Sequence, residues 1–88
     1  MTEIDVKTAV TRAQAFVREL FPEKAADIRL EEVEMDENGR WWHVTLSFPG
    51  RDVTLFGAPF STQREYKTVE VDTVTGEPRS VKIRVLNV

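Results

Sequence analysis

The side chains best suited to chemistry in this 88-residue chain are its single histidine, His43, and the residues that alternate with it, Trp41, Thr45 and Ser47. An imidazole titrates near neutrality, so His43 could act as a general base or a pH-sensitive contact. A hydrolytic site would also need a nucleophile. The chain has no cysteine, and Ser47 lies about 13 Å from His43 at the rise of a β-strand, too far for a direct hydrogen bond. An enzyme built on His43 would instead require a carboxylate or hydroxyl within hydrogen-bonding reach of the ring, in a cleft. No second histidine is present to form a metal pair, and the acidic run Glu31, Glu32 and Glu34 reads as solvated surface. Gly39, Gly50, Gly57 and Gly76 are dispersed, each explained by a turn, so there is no phosphate-cradling loop. The expectation is a non-catalytic domain without cofactor or metal.

Binding is the chemistry that remains. Trp41, His43, Thr45 and Ser47 share one parity of a strand and Trp42, Val44, Leu46 and Phe48 the other. Successive side chains point to opposite faces, so the second set lines a core and the first faces outward. Tyr66, Thr68 and Glu70 on a later strand, with Lys82 and Arg84 on the last, extend that outward face. The predicted partner-binding set is Trp41, His43, Thr45, Tyr66, Lys82 and Arg84. An exposed Trp beside Tyr and Arg is the mix enriched at interface anchors; equally, Trp41 could cover the stem of a neighbouring Arg or Lys. The partner would be another protein or a second copy of the chain. The alternative is a small-molecule pocket between helix and sheet, capped by the Phe56–Phe60 loop.

These residues need elements to hold them. Val6, Ala9, Val10, Ala13, Phe16, Val17 and Leu20 repeat with helical spacing, predicting an amphipathic helix from about Asp5 to Phe21. Thr2 or Asp5 can cap its start, and Pro22 ends it. A strand follows over Ile28–Met35, where Ile28 and Leu30 are out of phase with Val33 and Met35; a β-bulge near Glu31–Glu32 restores one buried face. Asn38-Gly39 suits a type I′ hairpin turn into the Trp41–Phe48 strand. Pro49-Gly50 suits a type II turn, leading to a short strand over Arg51–Phe56 and a loop over Gly57–Gln63. Strands over Arg64–Thr73 and Arg79–Val88 flank a second hairpin connection, in which Gly76 takes the positive φ. The predicted fold is α+β: one N-terminal helix packed on a four- to five-stranded antiparallel meander, residues 1–88 forming a single domain.

Composition narrows the setting. Twelve Lys and Arg against 15 Asp and Glu give a net charge of −3, which disfavours binding to nucleic-acid phosphates. No apolar run approaches the roughly 20 residues that span a bilayer. The first residues, Met1-Thr2-Glu3-Ile4-Asp5, lack the features of a secretory signal, so the cytoplasm is the expected location.

Three pieces of the chain carry a family resemblance. They are the helix ending Val17-Arg18-Glu19-Leu20-Phe21-Pro22, the turn Glu34-Met35-Asp36-Glu37-Asn38-Gly39-Arg40 before an aromatic strand, and Val69-Glu70-Val71-Asp72-Thr73-Val74-Thr75-Gly76-Glu77. In these the chain resembles PepSY-like domains of the broader cystatin-like architecture. The resemblance implies a helix wrapped on an antiparallel sheet, and a non-catalytic role such as regulating or inhibiting a peptidase.

Overall fold

The computed structural model describes residues 3–22, 27–49, 52–55, 58–61 and 64–83, the segments 52–55 and 58–61 by their backbone alone. Helix α1 spans Val6–Leu20. Asp5 is its N-cap, with Oδ1 accepting the Thr8 N–H at 2.8 Å. Phe21 closes it by donating its N–H to the Val17 carbonyl, and Pro22 prevents a further turn. The apolar stripe is buried only along its centre, at Ala9, Ala13 and Val17. Val6 and Leu20, expected to be packed, are exposed.

The sheet contains β1 (Arg29–Met35), β2 (Trp41–Phe48), β5 (Glu65–Asp72) and β6 (Pro78–Ile83), antiparallel in the order β1-β2-β5-β6. It packs one face on α1, giving the expected α+β class. Val44, Leu46, Phe48, Val69 and Val71 meet Ala9, Ala13 and Val17 in a core of fully buried side chains. The small alanines let the helix backbone approach the sheet closely. Trp42 and Val81 pack at the margin of this core. Ser47, opposite Tyr66, and Thr45, opposite Thr68, fall on the other face as the alternation predicts.

Both outer strands are irregular. In β1 the register shifts between Leu30 and Glu32, placing the bulge at Glu31 as the broken parity predicts, but the expected buried face is not formed, since Leu30 and Met35 stay exposed on this outer strand. In β6 a second bulge at Arg79, which the sequence pattern does not reveal, separates the pairs Glu70–Ser80 and Val71–Pro78.

The turns at the Trp41 end share one construction. Asp36 accepts the Gly39 N–H on its carbonyl, while its Oδ1 accepts the Arg40 N–H at 2.9 Å. Gly39 has φ +69°, but Asn38 keeps a negative φ, so the connection is not the predicted two-residue type I′ turn. The Asp36 carboxylate stabilises a longer loop, in which a single residue needs the left-handed region. At the second turn the Asp72 Oδ1 accepts the N–H groups of Val74 and Thr75, and Gly76 has φ +77° as predicted. Thr73 ties the turns together: its Oγ1 donates to the carbonyls of Gly39 and Arg40, its N–H to that of Arg40, and its own carbonyl accepts the Ile4 N–H.

β3 (Asp52–Leu55) and β4 (Ala58–Ser61) form a separate two-stranded ribbon. This corrects two expectations: the segment after Pro49 does not rejoin the meander, and Ala58–Ser61 is a strand and not loop. A two-stranded ribbon has an open side to each strand, where Pro59 is tolerated. Gly50, the expected positive-φ residue of the Pro49 turn, and residues 56 and 57 lie outside the described residues. Among the described residues no helix is long and apolar enough to cross a membrane.

Candidate functional site

The face of the sheet opposite α1 is covered by no second layer among the described elements. It has two poles. At the turn end Trp41 is half-buried, with the Arg79 guanidinium 3.9 Å from its ring centroid and that of Arg40 at 5.3 Å. These are cation–π distances. The β6 bulge is what places Arg79 there, since it turns an extra residue toward the sheet face. Each guanidinium is backed by a buried carboxylate. Arg79 Nε donates to Glu70 Oε1 at 3.2 Å, and Arg40 Nε lies 3.5 Å from Asp72 Oδ2. Ser80 Oγ also donates to Glu70 Oε1, at 3.0 Å.

Burial pushes the Glu70 carboxyl up, but the hydrogen bonds from Ser80 and Arg79 and the charges of Arg79 and Lys82 outweigh it, leaving its pKa below the ordinary carboxylate range. Asp72 is held low first by the backbone N–H groups of Thr75 and Val74, against burial, with the Arg40 charge adding to them. For Asp36, burial is outweighed by the N–H groups of Arg40 and Trp41. Glu70 and Asp72 are therefore ionised beside the arginines they balance, and Asp36 is ionised within its turn.

At the opposite pole Arg64 organises a dense network. Its Nε donates to Ser47 Oγ at 2.9 Å, Nη2 to the carbonyls of Ser47 and Asp27 at 2.9 and 2.7 Å, and Nη1 to Asp27 Oδ2 at 3.0 Å. Ser47 Oγ in turn donates to Glu31 Oε2 at 2.5 Å, so Glu31 is more than the solvated residue the sequence suggests. Arg29 makes two further bonds to the Asp27 carboxylate. Hydrogen bonds from Arg29 and Arg64 hold the Asp27 pKa low, and the residue sits at φ +57°, a conformation that Asp tolerates better than most.

The expected site residues fall as follows. Trp41, His43, Thr45 and Tyr66 all lie on this face, and Lys82 joins them opposite Thr68. Thr45 is nevertheless buried, its Oγ1 3.0 Å from that of Thr68. Tyr66 is half-buried and Lys82 exposed. Arg84 lies outside the described residues. His43 sits between Glu34 on β1 and Glu70 on β5, its Nε2 3.8 Å from Glu70 Oε2, longer than a hydrogen bond. No cluster of three or more metal-ligating side chains occurs among the described residues. Arg40, Arg79, Arg64, Glu70 and Asp72 complete the two poles. By parity Glu70 and Asp72 fall on this face, but no sequence signal gives a role to Asp72 or to the three arginines, because only the register and, for Arg79, the bulge bring them together.

On the helix side an open groove of about 340 Å³ runs between α1 and β1, lined by Val6, Lys7, Val10, Thr11 and Leu30. It lies along the β1 edge of the sheet.

No family model matches the chain, and neither a curated protein nor a solved structure does.

Proposed function

We propose that this domain is a non-catalytic interaction module that binds a protein partner through the open sheet face around Trp41 and His43. The observation that carries the reading is the Trp41 pole, where an aromatic ring is stacked with two guanidiniums, each fixed by an ionised and mostly buried carboxylate. Such a cluster is ordered before any partner arrives, so little side-chain entropy is lost on binding. The edges of the sheet support the same reading. A bulge and charged side chains on each of β1 and β6 oppose strand addition, which leaves the face as the natural docking surface. By its resemblance to PepSY-like domains, regulation of a peptidase is the role we assign to such binding.

The test is site-specific photocrosslinking in cells, with the reactive residue at Tyr66 on the face or at exposed Arg18 on α1. Discrete adducts from position 66 and none from position 18 support the reading. Adducts from position 18 alone, or from neither, overturn it.

A small apolar ligand in the α1–β1 groove is a second reading, favoured by the volume of that groove, which falls at the lower end of ligand pockets. Saturable binding of a medium-chain aliphatic probe, lost in Val10→Trp, is its expected signature.

A further inference from the structure

The open face carries opposite charge at its two sides, and the rows of the sheet show how those sides could meet. Across the sheet, Glu32, Thr45, Thr68 and Lys82 lie in one row, and Glu34, His43, Glu70 and Ser80 in the next. The β1 end of both rows is acidic. At the β6 end Lys82 closes the first row and neutral Ser80 the second, the Arg79 guanidinium reaching inward to Glu70 and the Trp41 ring. Two copies stacked face to face by a two-fold axis have two simple in-register arrangements. An axis across the strands lays β1 on β1 and opposes glutamate to glutamate. An axis along the strands preserves each row's height and lays β1 of one copy on β6 of the other. Glu32 then meets the partner copy's Lys82, twice over by symmetry.

We infer that the partner of this face is a second copy of the chain, related by a two-fold axis close to the strand direction. The inference rests on the interaction-module reading above and names its occupant. Sheets packed face to face cross at about 30°, so the axis lies about 15° from the mean strand direction. Four strands and an eight-residue β2 define a footprint of about 19 by 27 Å, close to 1,000 Å² buried in total. That is the lower limit for a specific interface, the size of weak and transient assemblies. Its pairs are exposed ion pairs screened over a Debye length of about 8 Å at physiological salt, so it loosens as salt rises. Trp41 and its arginines lie at the end of the paired surface, where the rows of the two copies close against each other.

The experiment is sedimentation equilibrium over a wide concentration range for wild type, Glu32→Lys, Lys82→Glu and an equimolar mixture of the two variants. Both substitutions are on exposed positions, and circular dichroism confirms that the variants fold. Wild type is expected to dimerise, each variant alone to lose at least ten-fold in affinity, and the mixture to recover it. Recovery is diagnostic, because the mixed dimer has one charge-reversed pair and one native pair, both attractive, which no effect on folding reproduces. A wild-type monomer at all concentrations overturns the inference, as do variants that dimerise like wild type or a mixture that stays monomeric. The crosslinking above separates the two claims. Adducts from position 66 at masses other than twice the chain leave the interaction face standing and remove the second copy as its occupant.

Discussion

The two poles of the open face use arginine in opposite ways. Arg64 spends its guanidinium within the chain, making four hydrogen bonds to Ser47 and Asp27, and is largely covered. Arg40 and Arg79 each reach their carboxylate through Nε alone and leave most of the side chain in solvent, at 64% and 55% exposure. Arginine offers five N–H donors in a rigid fork, so a guanidinium held at one corner still presents donors outward. One pole therefore closes the structure, and the other presents it. Residue type alone does not distinguish them; the number of internal acceptors does.

Substitutions should separate the poles in size of effect. Arg64→Ala should be the most damaging, because it removes four hydrogen bonds at once, among them those to the buried Ser47 hydroxyl and the Ser47 carbonyl; a loss of about 2–4 kcal/mol in urea unfolding is expected. A loss under about 0.5 kcal/mol would show that the network is solvent-compensated and the contrast false. Next comes the scaffold of the Trp41 pole. Gly76→Ala meets the Ile4 side chain only at ordinary contact distance, 3.6 Å, so its cost comes from φ +77° and should be about 1–2 kcal/mol. Arg79→Ala should change stability by less than about 1 kcal/mol, since its guanidinium is half exposed and Ser80 still donates to Glu70, while weakening self-association measured by sedimentation.

The finest distinction is in acid. Glu70 has a folded pKa below its unfolded value, so its contribution is present above the unfolded pKa and disappears as pH falls through the folded one. Wild-type stability should decline as pH is lowered below about 5, and Glu70→Gln should start lower and decline less steeply. Urea midpoints between pH 7 and pH 3 measure both slopes. Equal slopes would remove Glu70 as an ionised support for Arg79.

Much of this fold was legible because alternation and helical periodicity are local. The parity of Trp42, Val44, Leu46 and Phe48 located the core strand, the phase break at Glu31 located a bulge, and Pro22 located the helix end. Asn38 misled because the Asp36 side chain, two residues earlier, competes for the turn's N–H groups and favours a longer loop. The exposure of Val6 and Leu20 depends on how the helix is set on the sheet, which no helical pattern encodes. The site was legible as a face and not as a mechanism. Trp41 and His43 could be assigned a side, but the stacking of Arg79 on Trp41 depends on an irregularity in β6 that places two residues opposite one. Arg64 was hidden for a related reason, since its partners lie 17 and 37 residues away.

The ties made by Thr73 also bear on the order in which the molecule can assemble. Helix α1 is synthesised before the sheet, yet its stripe packs on β2 and β5, and Ile4 is anchored to a carbonyl that appears some 70 residues later. On the ribosome the helix must therefore wait with its apolar side uncovered until the second Asp-Gly turn has emerged. Contacts so distant in sequence slow folding and lengthen the exposure of nascent apolar surface. A polypeptide arrested before residue 73 should hold the first hairpin without its helix, a species for chaperones to shelter.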